Sequence, residues 1–97
     1  MYFDPADGMR PPPFKFSPFK SLVVPRPIGW ISSLSAGGIV NLAPYSFFNA
    51  VAEDPPCVVY SASGSHAEGG PKDSLRNVEE TGEFVFNLAT FELREQM

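Results

Sequence analysis

Ile28-Gly29-Trp30-Ile31-Ser32-Ser33-Leu34-Ser35-Ala36, Gly37-Gly38 and Ile39-Val40-Asn41-Leu42-Ala43 are the residues on which the reading of this chain turns. The first run is rich in strand formers, broken only by the polar Ser32-Ser33 pair. Two consecutive glycines follow, a pair that tolerates the positive φ angles of a tight two-residue turn. The third run returns as the partner strand. The unit is an antiparallel hairpin with strands over 28–36 and 39–43.

Downstream, Pro44 is expected to bend the chain, and the apolar, aromatic stretch 45–52 reads as a third strand or an irregular, partly buried segment. Glu53-Asp54-Pro55-Pro56 is a turn, and residues 57–62 form a short apolar run with the character of a fully buried strand. Residues 63–71, rich in Gly and Ser, read as a flexible loop. Asp73 is placed to N-cap a short helix over 74–81 that stops at Gly82, with Leu75 and Val78 as its buried stripe. Residues 83–89 form a strand with Phe84, Phe86 and Leu88 on one face. Thr90 is placed to cap a second helix over 91–97.

Upstream, residues 1–24 read as a Pro/Phe-rich arm. Pro5, Pro11, Pro12, Pro13 and Pro18 oppose a continuous helix or a central strand. Phe14, Phe16 and Phe19 are expected to tuck under a neighbouring body, and residues 20–24 to form a short edge strand. Four or five strands with one or two short helices cannot close a barrel without open edges. The expectation is therefore that 25–97 is the N-terminal part of a larger β domain whose C-terminal half is missing. No internal repeat is present.

The composition narrows the function. In 97 residues there are 7 Lys and Arg against 11 Asp and Glu, a net charge of −4. That balance disfavours a phosphate-tracking nucleic-acid surface. One cysteine and one histidine cannot build a structural zinc site. No apolar run reaches the ~18 residues of a membrane span, and the N-terminus lacks the order of a secretory signal, so the chain is read as cytoplasmic. Eleven prolines, about twice the usual ~5% share, bound short apolar runs in the manner of an all-β protein.

No nucleophile elbow, Walker loop or dinucleotide fingerprint occurs. His66 reads as an exposed loop histidine without an acid partner near it in sequence, and Cys57 as a buried structural thiol. Glu79-Glu80 is a solvated helix face. What remains is a set of small hydroxyls and amides beside aromatics: Ser32, Ser33, Ser46, Asn49 and Ser61. Lys72-Asp73-Ser74 stands at a helix N-terminus, where free N–H groups and the helix dipole favour a phosphate. On spacing alone these residues read first as a cap, at Asp73, and as edge-strand serines. If they form a site, it suits a planar ligand with a polar edge and a phosphate tail.

Residues 25–34, from Pro25-Arg26-Pro27-Ile28-Gly29-Trp30 onward, and 41–51, with Asn41-Leu42-Ala43-Pro44-Tyr45-Ser46-Phe47-Phe48-Asn49, closely resemble the flavin reductase-like family with the FMN-binding split-barrel fold. Asp54-Pro55-Pro56, Lys72-Asp73-Ser74 and residues 80–88 are similar to later blocks of the same pattern, in order, so that the resemblance covers about residues 20–97. It implies a mainly β, antiparallel Greek-key split β-barrel, incomplete here, that forms a homodimer with FMN near the subunit interface. It further implies that Ser32 and Ser33 meet the ribityl-phosphate side and that Tyr45, Ser46, Phe47, Phe48 and Asn49 line the isoalloxazine. By the same resemblance Ser61 sits beside the ring, and Lys72, Asp73 and Ser74 hold the phosphate end. Many relatives carry a basic residue before the Lys-Asp pair; here that place is Pro71, preceded by a Gly-rich insertion.

The implied activity is reduction of flavin by NAD(P)H, with reduced FMN passed to an acceptor such as a monooxygenase. Such chemistry needs no acid–base side chain, because the cofactor carries it. Two other readings stand beside this one: a flavoredoxin-like electron carrier with tightly bound FMN, and a non-catalytic flavin-binding β-barrel module.

Overall fold

A computed structural model describes residues 4, 6, 8, 10, 12–67 and 69–97. The early prolines Pro5 and Pro11 lie outside the described residues. The elements are helix α1 (Pro18–Leu22), strands β1 (Gly29–Leu34), β2 (Val40–Tyr45), β3 (Phe48–Ala52) and β4 (Cys57–Tyr60), helix α2 (Asp73–Thr81), strand β5 (Val85–Asn87), and a 3-10 helix over Phe91–Leu93. They build a three-stranded antiparallel sheet in the order β2-β1-β5 and a two-stranded antiparallel sheet of β3 and β4. The described residues are thus mainly β, with few short helices and two open sheets.

The hairpin forms where the sequence places it, with Leu34 opposite Val40 and Gly29 opposite Tyr45. Its turn differs from the expected one. Gly38 N–H donates to Ser35 O and Ser35 N–H to Ile39 O, so the loop is Ala36-Gly37-Gly38, and of the two glycines only Gly38 takes a positive φ, 83°. The third loop residue is where a three-residue hairpin needs the left-handed conformation. Pro44 does not end β2 but lies inside it, opposite Trp30. It is tolerated because β2 is an edge strand, so the missing N–H costs no ladder bond.

Strand pairing puts Gly29, Ile31 and Ser33 on the same face as Tyr45, Ala43 and Asn41. Ile31 is fully buried there, and Tyr45 is 7% exposed. Phe86, opposite Ile31, stacks on Phe48 with ring centres 4.7 Å apart. Tyr60 joins Tyr45 at 5.0 Å and meets Phe84 edge-on at 4.9 Å. This aromatic chain couples the two sheets. Gly29 is required beneath it, because a Cβ there would collide with the Phe48 ring. The strand expected over 83–89 is only Val85–Asn87; Phe84 precedes it and packs on Tyr60, while Leu88 lies beyond it and is exposed.

Helix α2 packs on this face through polar residues. Ser74 and Asn77 are each 1% exposed, while Leu75 and Val78, expected to be the buried stripe, are only half-buried. The reason is the surface opposite. Asn77 Nδ2 donates to Ser33 Oγ at 3.2 Å, and Asn41 Nδ2 donates to Ser74 Oγ at 2.7 Å, so the hydroxyl and amide of the sheet select their polar counterparts. Gly82 ends the helix as expected, in the left-handed conformation with φ 75°. The N-cap position belongs to Lys72, not Asp73; Asp73 is the first helical residue, and no side chain caps the turn.

Other expectations are corrected. Residues 20–24 are not a strand: Ser17 caps α1 by accepting from Lys20 N–H, and Pro18 occupies the first turn, where its fixed φ starts a helix. Phe16 and Phe19 are exposed, although Phe19 meets Phe47 edge-on at 6.2 Å. β4 is largely exposed and Cys57 with it, because β3 is its only partner strand among the described residues. The 63–71 loop is pinned into a tight fold by a bridge between Ser65 and Pro71 and by His66 N–H donating to Gly70 O. At the C-terminal end only a 3-10 turn forms, since Thr90 makes no capping bond.

Candidate functional site

Where β2 leads into β3, the chain turns through Tyr45-Ser46-Phe47, and Ser61 N–H at the end of β4 donates to Phe47 O at 2.9 Å. The N-terminal end of α2 and the segment after α1 close on this corner. Two adjoining clefts result, of about 220 and 250 Å³, and both are bordered by Tyr45 and Lys72. The first is walled by Ser46, Phe47, Ser61 and Ser63 together with Lys20 and Arg26. The second runs along Asn41 and Ala43 of β2 to His66, Asp73 and Ser74.

Three cations stand over the aromatic floor. Lys72 Nζ is 5.8 Å from the Tyr45 ring centre; Lys20 Nζ and Arg26 Cζ are 5.9 and 5.5 Å from that of Phe47. Arg26 is fixed by donating to Lys20 O, Val23 O and Ser46 Oγ, so that it ties α1 to the corner. Among the described residues none of the three has a carboxylate partner. In a chain of net charge −4, three uncompensated cations around one cleft mark a place for an anion. Burial, with the neighbouring Tyr45 second, raises the Tyr60 hydroxyl above its ordinary 10.0, behind the Tyr45 ring that borders both clefts.

The residues singled out in the sequence divide into two groups. Tyr45, Ser46, Phe47, Ser61, Lys72, Asp73 and Ser74 meet at the clefts. Phe48, Asn49, Ser32 and Ser33 border neither. Phe48 lies over Gly29, and Asn49 pairs with Val59 within β3 and β4. Ser32 Oγ accepts from Asn87 Nδ2 at 3.1 Å, and Ser33 holds Asn77 of α2.

Lys20, Arg26 and His66 were not among the candidates. Arg26 carries a signal in its setting between two prolines, which fix the backbone around it. His66 is not without an acid: its Nε2 lies 3.3 Å from Asp73 Oδ2, because the folded loop returns to the head of α2. Asp73 is also paired with Arg76 through its other oxygen. Among the described residues, no group of three or more His, Cys, Asp and Glu is placed to hold a metal, and no helix is long and apolar enough to cross a membrane.

A family model described as flavin reductase like domain matches residues 21–97. The chain belongs to this family. It is 49% identical over 76 residues to a protein of Aquifex aeolicus, which covers 78% of this chain and 38% of that protein. To YwrF of Bacillus subtilis it is 49% identical over 67 residues, 69% of this chain and 32% of that one. The chain therefore spans about a third of the length of these curated relatives. Among solved structures it is similar to nitrilotriacetate monooxygenase component B from Bacillus cereus, with a TM-score of 0.74 and 28% identity over 98% of this chain and 46% of that one. It is also similar to the Pseudomonas fluorescens 2-nitrobenzoate 2-nitroreductase NbaA, with a TM-score of 0.67 and 39% identity over 81% of this chain and 36% of that one.

Proposed function

We propose that these residues form the flavin-binding part of an NAD(P)H-dependent flavin reductase, a split-barrel homodimer that uses FMN. The carrying observation is the set of uncompensated cations, Lys20, Arg26 and Lys72, around the floor of Tyr45 and Phe47. An aromatic floor suits a planar ring system, and Lys72, which borders both clefts, suits its phosphate while Lys20 and Arg26 add to the positive field, so the donor set fits FMN.

In this reading Lys72, Asp73 and Ser74 hold the phosphate end at the uncapped first turn of α2, Asp73 through its backbone N–H while its carboxylate is taken up by His66 and Arg76. Tyr45, Ser46 and Phe47 form the wall along the ring system, and Ser61 faces it from the end of β4. Phe48 and Asn49 support that wall from β3. Ser32 and Ser33 act through the sheet, Ser33 by setting the position of α2. When bound, the flavin supplies the hydride-accepting centre. The side chains bind it, orient it and exclude water, and no acid or base is asked of them.

The remaining barrel strands, the dimer contact and the nicotinamide side are assigned to the C-terminal half, and the acceptor to a monooxygenase or similar oxidoreductase in the cytoplasm. The test is anaerobic oxidation of NADH and NADPH by the full-length protein with FMN as acceptor. Turnover that saturates with FMN supports the reading. Tightly retained FMN without such turnover favours an electron carrier, and absence of any flavin affinity overturns the flavin reading altogether.

A further inference from the structure

His66 sits in the Gly-rich stretch between β4 and α2, a place where sequence alone gives a histidine no task. The fold gives it a defined position. The loop is closed at its base by the Ser65–Pro71 bridge and inside by bonds from His66 N–H to Gly70 O, 3.1 Å, and from Gly69 N–H to His66 O, 3.0 Å. With its backbone pinned at both ends of the turn, the imidazole lies in the wall of the second cleft, on the same rim as Lys72 and Ser74. Its Nε2 is 3.3 Å from Asp73 Oδ2.

Asp73 is the difficulty that this arrangement meets. A carboxylate at the head of α2 is favourable to the helix dipole but repels an anion brought to the same place. Its two oxygens are taken by two side chains, Arg76 at Oδ1 and His66 at Oδ2. Among the described residues the charged and titratable groups at this end are Lys72, Asp73, Arg76 and His66. Lys72 and Arg76 are permanently cationic, and His66 takes up the carboxylate oxygen that Arg76 leaves, so the imidazole offsets Asp73 where the phosphate would rest. An isolated exposed ion pair contributes little to folding; the effect here falls on the ligand.

We infer that His66 is a selectivity residue of this cleft: its imidazole, held against Asp73 Oδ2 in the cleft wall, screens that carboxylate and so strengthens binding of the phosphate of FMN over flavins that lack one. The inference rests on the flavin reading proposed above.

The experiment compares FMN and riboflavin affinities of the full-length protein, wild type and His66→Ala, by fluorescence titration at low ionic strength. The wild type should prefer FMN over riboflavin more strongly than His66→Ala by roughly two- to fivefold. His66→Lys, which keeps a partner for Asp73 Oδ2, should restore the preference. Equal FMN preference of wild type and His66→Ala overturns the inference and leaves the flavin reading standing. A parallel loss of both flavins in His66→Ala also overturns it, since that is the mark of a loop held for structure alone. If neither flavin binds the wild type, the flavin reading fails and the inference with it.

Discussion

The ammonium of Lys72 lies 5.8 Å from the centre of the Tyr45 ring, and these two residues border both clefts at the corner of the molecule. Tyr45 ends β2 with its ring buried, and Lys72 occupies the N-cap position of α2. The pair therefore joins the sheet, the helix and the cleft in one contact. Replacing Lys72 by Ala should weaken FMN binding by about tenfold, as expected for losing a charge-assisted bond of about 1.5 kcal/mol. Riboflavin should be affected much less. Raising ionic strength should reduce the difference between the two proteins, because the cleft is open to solvent.

Gly29→Ala tests the coupling of the two sheets. The added methyl group meets the Phe48 ring, which is already stacked on Phe86. Both rings must shift, at a cost of about 1–3 kcal/mol. The expected result is a lower midpoint in urea unfolding together with weaker flavin binding, since Phe48 follows directly on the cleft residues.

Asn77→Ala tests whether the polar underside of α2 positions the site. The substitution removes the donor to Ser33 Oγ at a place that is 1% exposed. A loss of about 1–3 kcal/mol in stability is expected from the unpaired buried hydroxyl and the space left behind. Because α2 carries Lys72 and Ser74, FMN affinity should fall as well, although Asn77 borders neither cleft.

Tyr60 sets an alkaline limit. Its folded-state hydroxyl is raised above 10.0, chiefly by burial. The unfolded chain therefore releases this proton first as pH rises. The stability Tyr60 contributes is complete below about pH 10, declines as pH climbs through that value, and is lost above the folded-state value. Tyr60→Phe should flatten this part of the stability profile, with the tyrosinate absorbance near neutral pH unchanged.

The hairpin was legible because two glycines in sequence leave few alternatives, and the end of α2 because Gly82 offers the left-handed conformation without steric cost. The strand around Phe86 was legible from the two-residue period, but its ends were not: only Val85–Asn87 pairs with β1. Pro44 was misread since a proline is compatible with an edge strand, and edge position is a property of the whole sheet. Pro18 was misread as a breaker when Ser17 made it a helix start.

Within the site, the residues near each other in sequence were recognised, and those brought in from afar were not. Tyr45, Ser46 and Phe47 lie on one corner, and Lys72, Asp73 and Ser74 on one turn. Arg26 reaches Ser46 across twenty positions, and His66 finds Asp73 only because its loop folds back. Neither contact has a local periodicity to announce it. Ser33 and Asn77, 44 positions apart, show the converse: a buried polar pair looks like a ligand site from one side until its partner is known.

The most direct measurement is fluorescence titration of the full-length protein with FMN and with riboflavin, which differ only in the phosphate. Saturable quenching by FMN, with clearly weaker binding of riboflavin, is the result expected if Lys20, Arg26 and Lys72 form the anion-binding rim of a flavin cleft. Equal affinity for the two flavins would contradict the role given to these cations, and no saturable binding of either would contradict the flavin site itself.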